Sequence, residues 1–433
     1  MPDSTAGEDV GLAMHRFIAD LYPICRSITG AGVRETLARI GRRLPLTITE
    51  TPSGADAFDW TVPKEWNIAD AWIKDPSGRK IVDFQASNLH VLNYSTPIRA
   101  RMRLEELRPH LFTLPDQPDR IPYRTSYYAE RWGFCLTHAL YETLAEGEYE
   151  VCIESTLEDG ALTYGEAVLP GETEDEILIS CHVCHPSLCN DNLSGVAVAT
   201  FLGQRLAQRR LRHSVRLLFI PGTIGSIVWL SRNEAHTAKI KHGLVLTGVG
   251  DSASFTYKRS RRGDAAIDRA AEHVLRHADP GLRVQDFSPY GYDERQFCSP
   301  GFNLPVGCLM RSPWGTYDRY HTSGDDLDFV HPESLRGTLD AVTKIIDALD
   351  RDARYINTNP KGEPRLGKRG LYRPMGGAAS GPPLDEMALL WVLNLSDGDW
   401  SLLQIAERAN YPFETIARAA DALIGAGLLR PAG

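Results

Sequence analysis

The chain has 433 residues, 42% of them hydrophobic, and a formal net charge of −9. That length sustains a large buried core and two or three domains, and no apolar run approaches the ~20 residues of a membrane-spanning helix. The acidic balance argues against nucleic acid as the main partner, so neither nucleic acid nor a membrane is expected.

In chain order, residues 1–10 are polar and acidic through Asp3, Glu8 and Asp9. With no basic start and no apolar stretch, they predict no secretory signal and a cytoplasmic protein whose eight cysteines are reduced. Met14, Phe17, Ile18 and Leu21 recur at helical spacing before a break at 28–32, so 11–44 reads as helix, loop, helix. From 47 to 164 short strand-like pieces alternate with turns, which predicts an inserted β-rich domain. From 167 to 350 strands (176–180, 215–220, 243–247) alternate with helices (194–208, 224–233, 265–277, 334–349). That alternation implies an α/β domain with a mostly parallel sheet, built from 1–46 and 165–350.

Residues 351–383 are rich in Pro, Gly and basic residues and read as a linker. Residues 384–433 follow as a winged helix-turn-helix: helices at 387–395, 401–409 and 413–425, then a short strand at 427–429. Between 384 and 430, seven acids (Asp385, Glu386, Asp397, Asp399, Glu407, Glu414, Asp421) outweigh Arg408, Arg418 and Arg430, giving −4. Such a surface repels phosphate, so a structural or dimerising role is expected.

The most informative stretch is 177–195. An apolar, β-branched run delivers His182 and His185 to a sheet edge, and Asn190-Asp191-Asn192 turns the chain into the helix that starts near Ser194. Two imidazoles and a carboxylate at a strand end are zinc-type ligands. Cys181-His182-Val183-Cys184-His185 also matches a c-type haem attachment motif, but that chemistry needs export. A structural zinc site on Cys181, Cys184 and Cys189 has no second Cys pair to complete it. His321, among turn-forming residues at 317–326, is the best distant candidate for a further ligand.

Taken together, Cys184-His185-Pro186-Ser187, Asn190 to Gly195, Pro221 to Ser226, Tyr292 to Gly301 and Tyr320-His321-Thr322-Ser323 resemble the zinc aminopeptidase clan that includes bacterial leucyl aminopeptidases. The likeness is closest to the aminopeptidase-like branch with an inserted β domain and a C-terminal winged helix, and it runs over nearly the whole chain. It implies a three-layer α/β/α domain, zinc, and His321 as a ligand. His182 corresponds by position to the clan's first ligand, whereas His185 lies inside the branch's own motif; both stay as candidates beside Asp191. The clan's adjacent glutamates, one a ligand and one a base, fall at Gly222-Thr223, and its further aspartate ligand falls at Thr247. A second zinc would therefore lack charge neutralisation, and one Zn2+ is expected.

With the usual base absent, Glu294 or Asp293 is the expected proton acceptor. The basic run Lys258, Arg259, Arg261 and Arg262 is expected at the cleft rim, clamping a substrate anion, with Tyr317 as a further substrate contact. Tyr127, Tyr128, Trp132 and Phe134 of the insert either fill its core or wall the cleft. The function that follows is a zinc-dependent hydrolase of aminopeptidase type on a peptide or amide bond of a small peptide or aminoacyl-type substrate. A cyclase-like acyl-transfer enzyme and a metal-stabilised binding protein are the alternatives.

Overall fold

In the computed structural model, residues 9–372 and 384–432 are described. The expectation for the N-terminal segment, apart from Asp9 and Val10, lies outside those residues, as does the part of the expected linker at 373–383. The chain divides into two compact units, Met1–Asp264 with Arg283–Asp340, and Ala265–Leu282 with Ala341–Gly433.

The first unit is built on an eight-stranded sheet in the order 47–52, 161–169, 214–220, 176–182, 240–246, 306–310, 256–258, 283–285. The four strands Ser214–Ile220, Glu176–His182, Ile240–Leu246 and Val306–Met310 run parallel. Strands Glu176–His182 and Ser214–Ile220 are buried along their whole length, the signature of parallel strands covered on both faces. Antiparallel pairings flank this parallel core on both sides, so the sheet is mixed, with four of its seven strand pairings parallel as expected. Helices Val10–Leu21 and Ala31–Gly41 precede it, and Ser194–Leu206 and Ile224–Arg232 follow their strands as the alternating pattern requires.

The insert is shorter than expected. Thr47–Pro52 pairs with Ala161–Leu169, which pairs in turn with Ser214–Ile220, so both flanks belong to the main sheet and the insert proper is 53–160. Short-strand texture cannot tell the edge of one sheet from the start of another. The insert's own sheet is antiparallel, in the order 80–83, 65–74, 148–158, 98–103. Its core residues Trp66, Tyr94, Phe134 and Val151 join Leu178, Leu218 and Val306 of the main sheet in one hydrophobic cluster.

In the second unit, Arg354–Asn357, expected in the linker, is the middle strand of a three-stranded sheet with Asp397–Ser401 and Leu429–Pro431. Helices Glu386–Leu395, Leu402–Ala409 and Phe413–Gly425 complete a winged helix. Ser401 and Gln404 form a capping box that starts the middle helix, and Asn410 ends it in the left-handed region at φ 54°. Helix Ala266–Ala278 belongs to this unit rather than to the α/β domain, and its Arg269 pairs with Glu407. No described helix is long and apolar enough to cross a membrane.

Candidate metal centre

His182 is the last residue of its strand, so its imidazole leaves the sheet at the carboxyl end. The next loop returns His185, and the turn before helix Ser194–Leu206 presents Asp191, which is 1% exposed. That turn is braced from several sides. The Asp325 carboxylate accepts the backbone N–H of Asn190 at 2.6 Å and of Asp191 at 2.9 Å. The Asn190 amide donates to Asp251 at 2.8 Å, and the Asn192 amide to the Leu246 carbonyl at 3.0 Å. Arg26 supports the neighbouring loop: its buried guanidinium donates to the carbonyls of Leu21, His185 and Pro186, each at 2.7 Å.

Three imidazoles meet the Asp191 carboxylate. His182 Nε2 is 2.9 Å from Oδ1, His321 Nε2 is 3.0 Å from Oδ2, and His185 Nε2 is 3.9 Å from Oδ2. The Tyr292 hydroxyl donates to Oδ1 at 3.0 Å, and its ring stacks on His182 at 4.8 Å. Oδ1 is thus engaged by His182 and Tyr292, while Oδ2 faces His185 and His321. Access differs as well: the side chain of His182 is 1% exposed, that of His185 13% and that of His321 34%. Among the described residues, the only set of three or more potential ligand atoms lying mutually within 4.8 Å is that of His182, His185 and Asp191.

Burial alone would raise the Asp191 carboxyl, but His185, His182 and His321 hold it well below the usual carboxylate range. Burial pushes His185 well below the ordinary histidine value, outweighing the pull of Asp191. Its imidazole is therefore neutral, as a metal ligand must be. The Cys184 thiol lies 3.4 Å from His185 Nδ1 and is pushed up to about 12 by burial, so it stays protonated. Burial likewise keeps Tyr292 a phenol. Zinc bonds of about 2.0–2.2 Å in a tetrahedron set neighbouring ligand atoms about 3.4 Å apart. The nitrogen–oxygen separations of 2.9, 3.0 and 3.9 Å bracket that spacing, so the imidazoles and the carboxylate fit the ion.

Two expected roles change. Lys258, expected to clamp a substrate anion, and Glu294, expected to accept a proton, are paired with each other at 2.8 Å, 1% and 0% exposed. Lys258 also donates to the Tyr290 carbonyl at 2.7 Å. A buried ammonium needs a counter-charge, and once both are sealed together neither can serve a substrate. Gly291 is moulded to the pair, since a Cβ there would stand 2.1 Å from Glu294 Oε1 and 2.9 Å from Lys258 Nζ. The rest of the basic run is also engaged elsewhere. Arg259 pairs with Asp286 at 2.7 Å, and the exposed Arg261 and Arg262 donate to the side chain and main chain of Asn303, each at 2.9 Å.

Asp293 is fully buried. Its Oδ1 accepts from Ser226 at 2.9 Å, and its Oδ2 has no hydrogen-bond partner among the described residues. Its carboxylate lies over Gly222: a Cβ there would be 3.4 Å from Asp293 Oδ2 and 3.1 Å from His182 Cβ. Burial pushes its carboxyl up to about 6. The Tyr317 ring is 5.6 Å from that of Tyr320, which stacks on His321 at 3.9 Å. Of the insert's aromatics, Phe134 is core, Trp132 stacks on His110 at 3.6 Å, and Tyr128 is exposed beside Trp60. The Tyr127 hydroxyl is 2.9 Å from that of Tyr123. Tyr123, Arg26 and Asp325 stand at the site without having been singled out from sequence, and Tyr292, which opens one of the motifs that carry the resemblance, was given no role of its own.

Residues 15–352 match the model of a family described as a domain of unknown function (DUF4910), and residues 353–431 match a winged helix-turn-helix model. A Clostridium acetobutylicum protein, provisionally named for polysaccharide biosynthesis and for its aminopeptidase-like domain, is 51% identical over 98% of this chain and 97% of its own length. The crystal structure of a provisionally termed peptidase from Clostridium acetobutylicum superposes with a TM-score of 0.92 at 50% identity, over 97% of this chain and 96% of that one. A zinc aminopeptidase from Bacillus subtilis shares the fold, with a TM-score of 0.57 at 11% identity over 79% of this chain and 95% of that one.

Proposed function

The chain belongs to the DUF4910 family, and from that premise we propose that it is a zinc-dependent hydrolase of a peptide or amide bond in a small substrate. The observation that carries this reading is the convergence of three imidazoles on the two oxygens of one buried carboxylate. The aminopeptidase-like fold supports it. In this reading His185, Asp191 and His321 hold one ion on the Oδ2 side, where His185 and His321 are reachable from solvent. His182 and Tyr292 fix Oδ1, and so the angle of the ligand carboxylate. When bound, zinc supplies Lewis acidity toward a carbonyl oxygen and a nucleophile at neutral pH. Asp293 is the proton acceptor, poised by burial near the pH at which it must work. Tyr320 and Tyr317 line the approach to His321 and position the substrate.

The test is turnover of aminoacyl amides by zinc-equilibrated protein, with His321→Ala as the control. Cleavage that needs both His321 and zinc is expected, and absence of turnover across the panel would sink the hydrolase reading. A second reading places the amide on a sugar building block, favoured by the polysaccharide-biosynthesis name of the 51%-identical relative. N-acetylated aminosugars in the same assay separate the two.

A further inference from the structure

One segment of the inserted region runs directly along the metal centre. Segment 120–123 runs antiparallel beside the loop that carries His321: Pro122 bridges Thr322, Ser323 N–H donates to the Ile121 carbonyl at 2.8 Å, and Tyr123 N–H donates to the His321 carbonyl at 2.7 Å. Ile121 N–H returns to the Ser323 hydroxyl at 3.0 Å. Arg120 anchors the start of this strap, pairing with the Asp318 carboxylate at 2.9 Å and donating to its carbonyl at 2.7 Å. His321 itself sits at φ 54°, in the left-handed region that non-glycine residues occupy only when their surroundings hold them there.

Tyr123 ends the strap inside the site. Its ring centroid is 5.1 Å from that of His185 and 5.0 Å from that of His321, and the two imidazoles are 5.3 Å apart. The three rings form a nearly equilateral triangle. The same tyrosine packs with Leu89 and Leu188 in a small separate core, and Leu188 lies on the loop between His185 and Asp191. Its hydroxyl meets that of Tyr127 at 2.9 Å, which sets the ring's rotation.

We propose that Tyr123 of the insert is a positioning residue of the metal centre, a wedge that sets the spacing of His185 and His321 on the Oδ2 side of Asp191. The inference rests on the zinc reading above and deepens it. The ring does this by contact, from outside the ligand set, so its removal loosens the geometry while every donor atom stays present. Loss of such an outer support costs about 10–100-fold in metal affinity.

The experiment is a zinc titration against a competing chelator on the full-length protein, with the visible spectrum of the cobalt-substituted form as a geometric readout. Tyr123→Leu keeps apolar bulk against Leu89 and Leu188 but withdraws the ring from both imidazoles. It should raise the zinc Kd at least about tenfold and shift the cobalt bands, while Tyr123→Phe stays within about twofold of the parent. Leu104→Ala, in the insert core away from the strap, supplies a general loosening of the insert as control and should leave zinc affinity unchanged. Equal zinc affinity in Tyr123→Leu and the parent overturns the proposal, as does an equal loss in Leu104→Ala. A parent chain that takes no zinc removes both this proposal and the zinc reading. Zinc binding with the expected variant pattern but no hydrolysis removes only the hydrolase.

Discussion

Asp293→Asn should make the protein more stable and less active at once. The side chain keeps its shape and can still accept from Ser226 Oγ, 2.9 Å away in the parent, but it no longer carries a charge into a fully buried site. Burial raises the parent carboxyl from 3.8 to about 6, which at about 1.4 kcal/mol per pH unit is a cost of about 3 kcal/mol for the ionised form. The sign follows from proton binding. Between those two values the folded state holds the proton more tightly than the unfolded one, so parent stability falls as pH rises through that window. The variant should match the parent below about pH 4, gain steadily to about pH 6 and stay about 3 kcal/mol more stable above it. Urea unfolding of the first unit, followed by tryptophan fluorescence in chelator, reads this; chelator matters because a nearby cation would draw the carboxyl back down. Zinc-loaded activity should fall about 100-fold or more, the usual loss when a positioned base is removed. Parallel pH–stability curves for the two proteins would refute the buried-charge argument, and undiminished turnover would remove Asp293 as the base.

Five further outcomes can be checked directly. In the zinc-loaded parent, kcat/KM should fall on the acid side as the acceptor is protonated, with a midpoint below the metal-free value of about 6 because the cation favours the carboxylate; a profile with no acid limb down to about pH 4 would speak against it. Lys258→Met strands Glu294 as an unpaired buried carboxylate and should cost about 3–5 kcal/mol in denaturant titration, most of it recovered by adding Glu294→Gln. Arg261→Ala with Arg262→Ala should leave KM unchanged for anionic and neutral substrates alike, since both arginines are exposed and engaged at Asn303; a selective rise for anions would return them to the cleft. Elemental analysis of His321→Ala should show zinc lost, and full-length protein should not retain duplex DNA at physiological salt, a point on which a salt-sensitive gel shift at submicromolar protein would decide the other way.

What could be read from sequence was whatever the chain states locally. His182, Asp191 and the helix after them lie within one strand–turn–helix, whose periodicity switches from fully apolar strand to small-residue helix in twenty residues or so. The strands and helices between 176 and 247 are legible for the same reason, whereas the strands at 256–258, 283–285 and 306–310 of the same sheet were not read. Relations between distant segments were not. Lys258 and Glu294 are 36 residues apart, and nothing in either neighbourhood announces that each neutralises the other; each alone looks like a surface charge. Arg354–Asn357 lies at the head of a Pro- and Gly-rich stretch, and its strand partners come some forty and seventy-five residues later. Tyr123 was one aromatic in a dense run, and its direction depends on the strap that seats it. Propensity is a property of windows, whereas sealing a charge or wedging a ring is decided by partners that a window does not contain.

The insert enters and leaves the main sheet through neighbouring strands, with Pro52 opposite Ala161 at the last rung. By topology alone it is a detachable loop: its two ends are already side by side, and a short turn could replace everything between them with little closure entropy at stake. The strap changes what such a deletion would mean. A trimmed chain would keep His182, His185, Asp191 and His321 yet lose the segment that braces His321 in its left-handed conformation. For anyone moving this fold toward a smaller catalyst, the seam where the chain can be cut and the seam where the chemistry can be cut lie in different places.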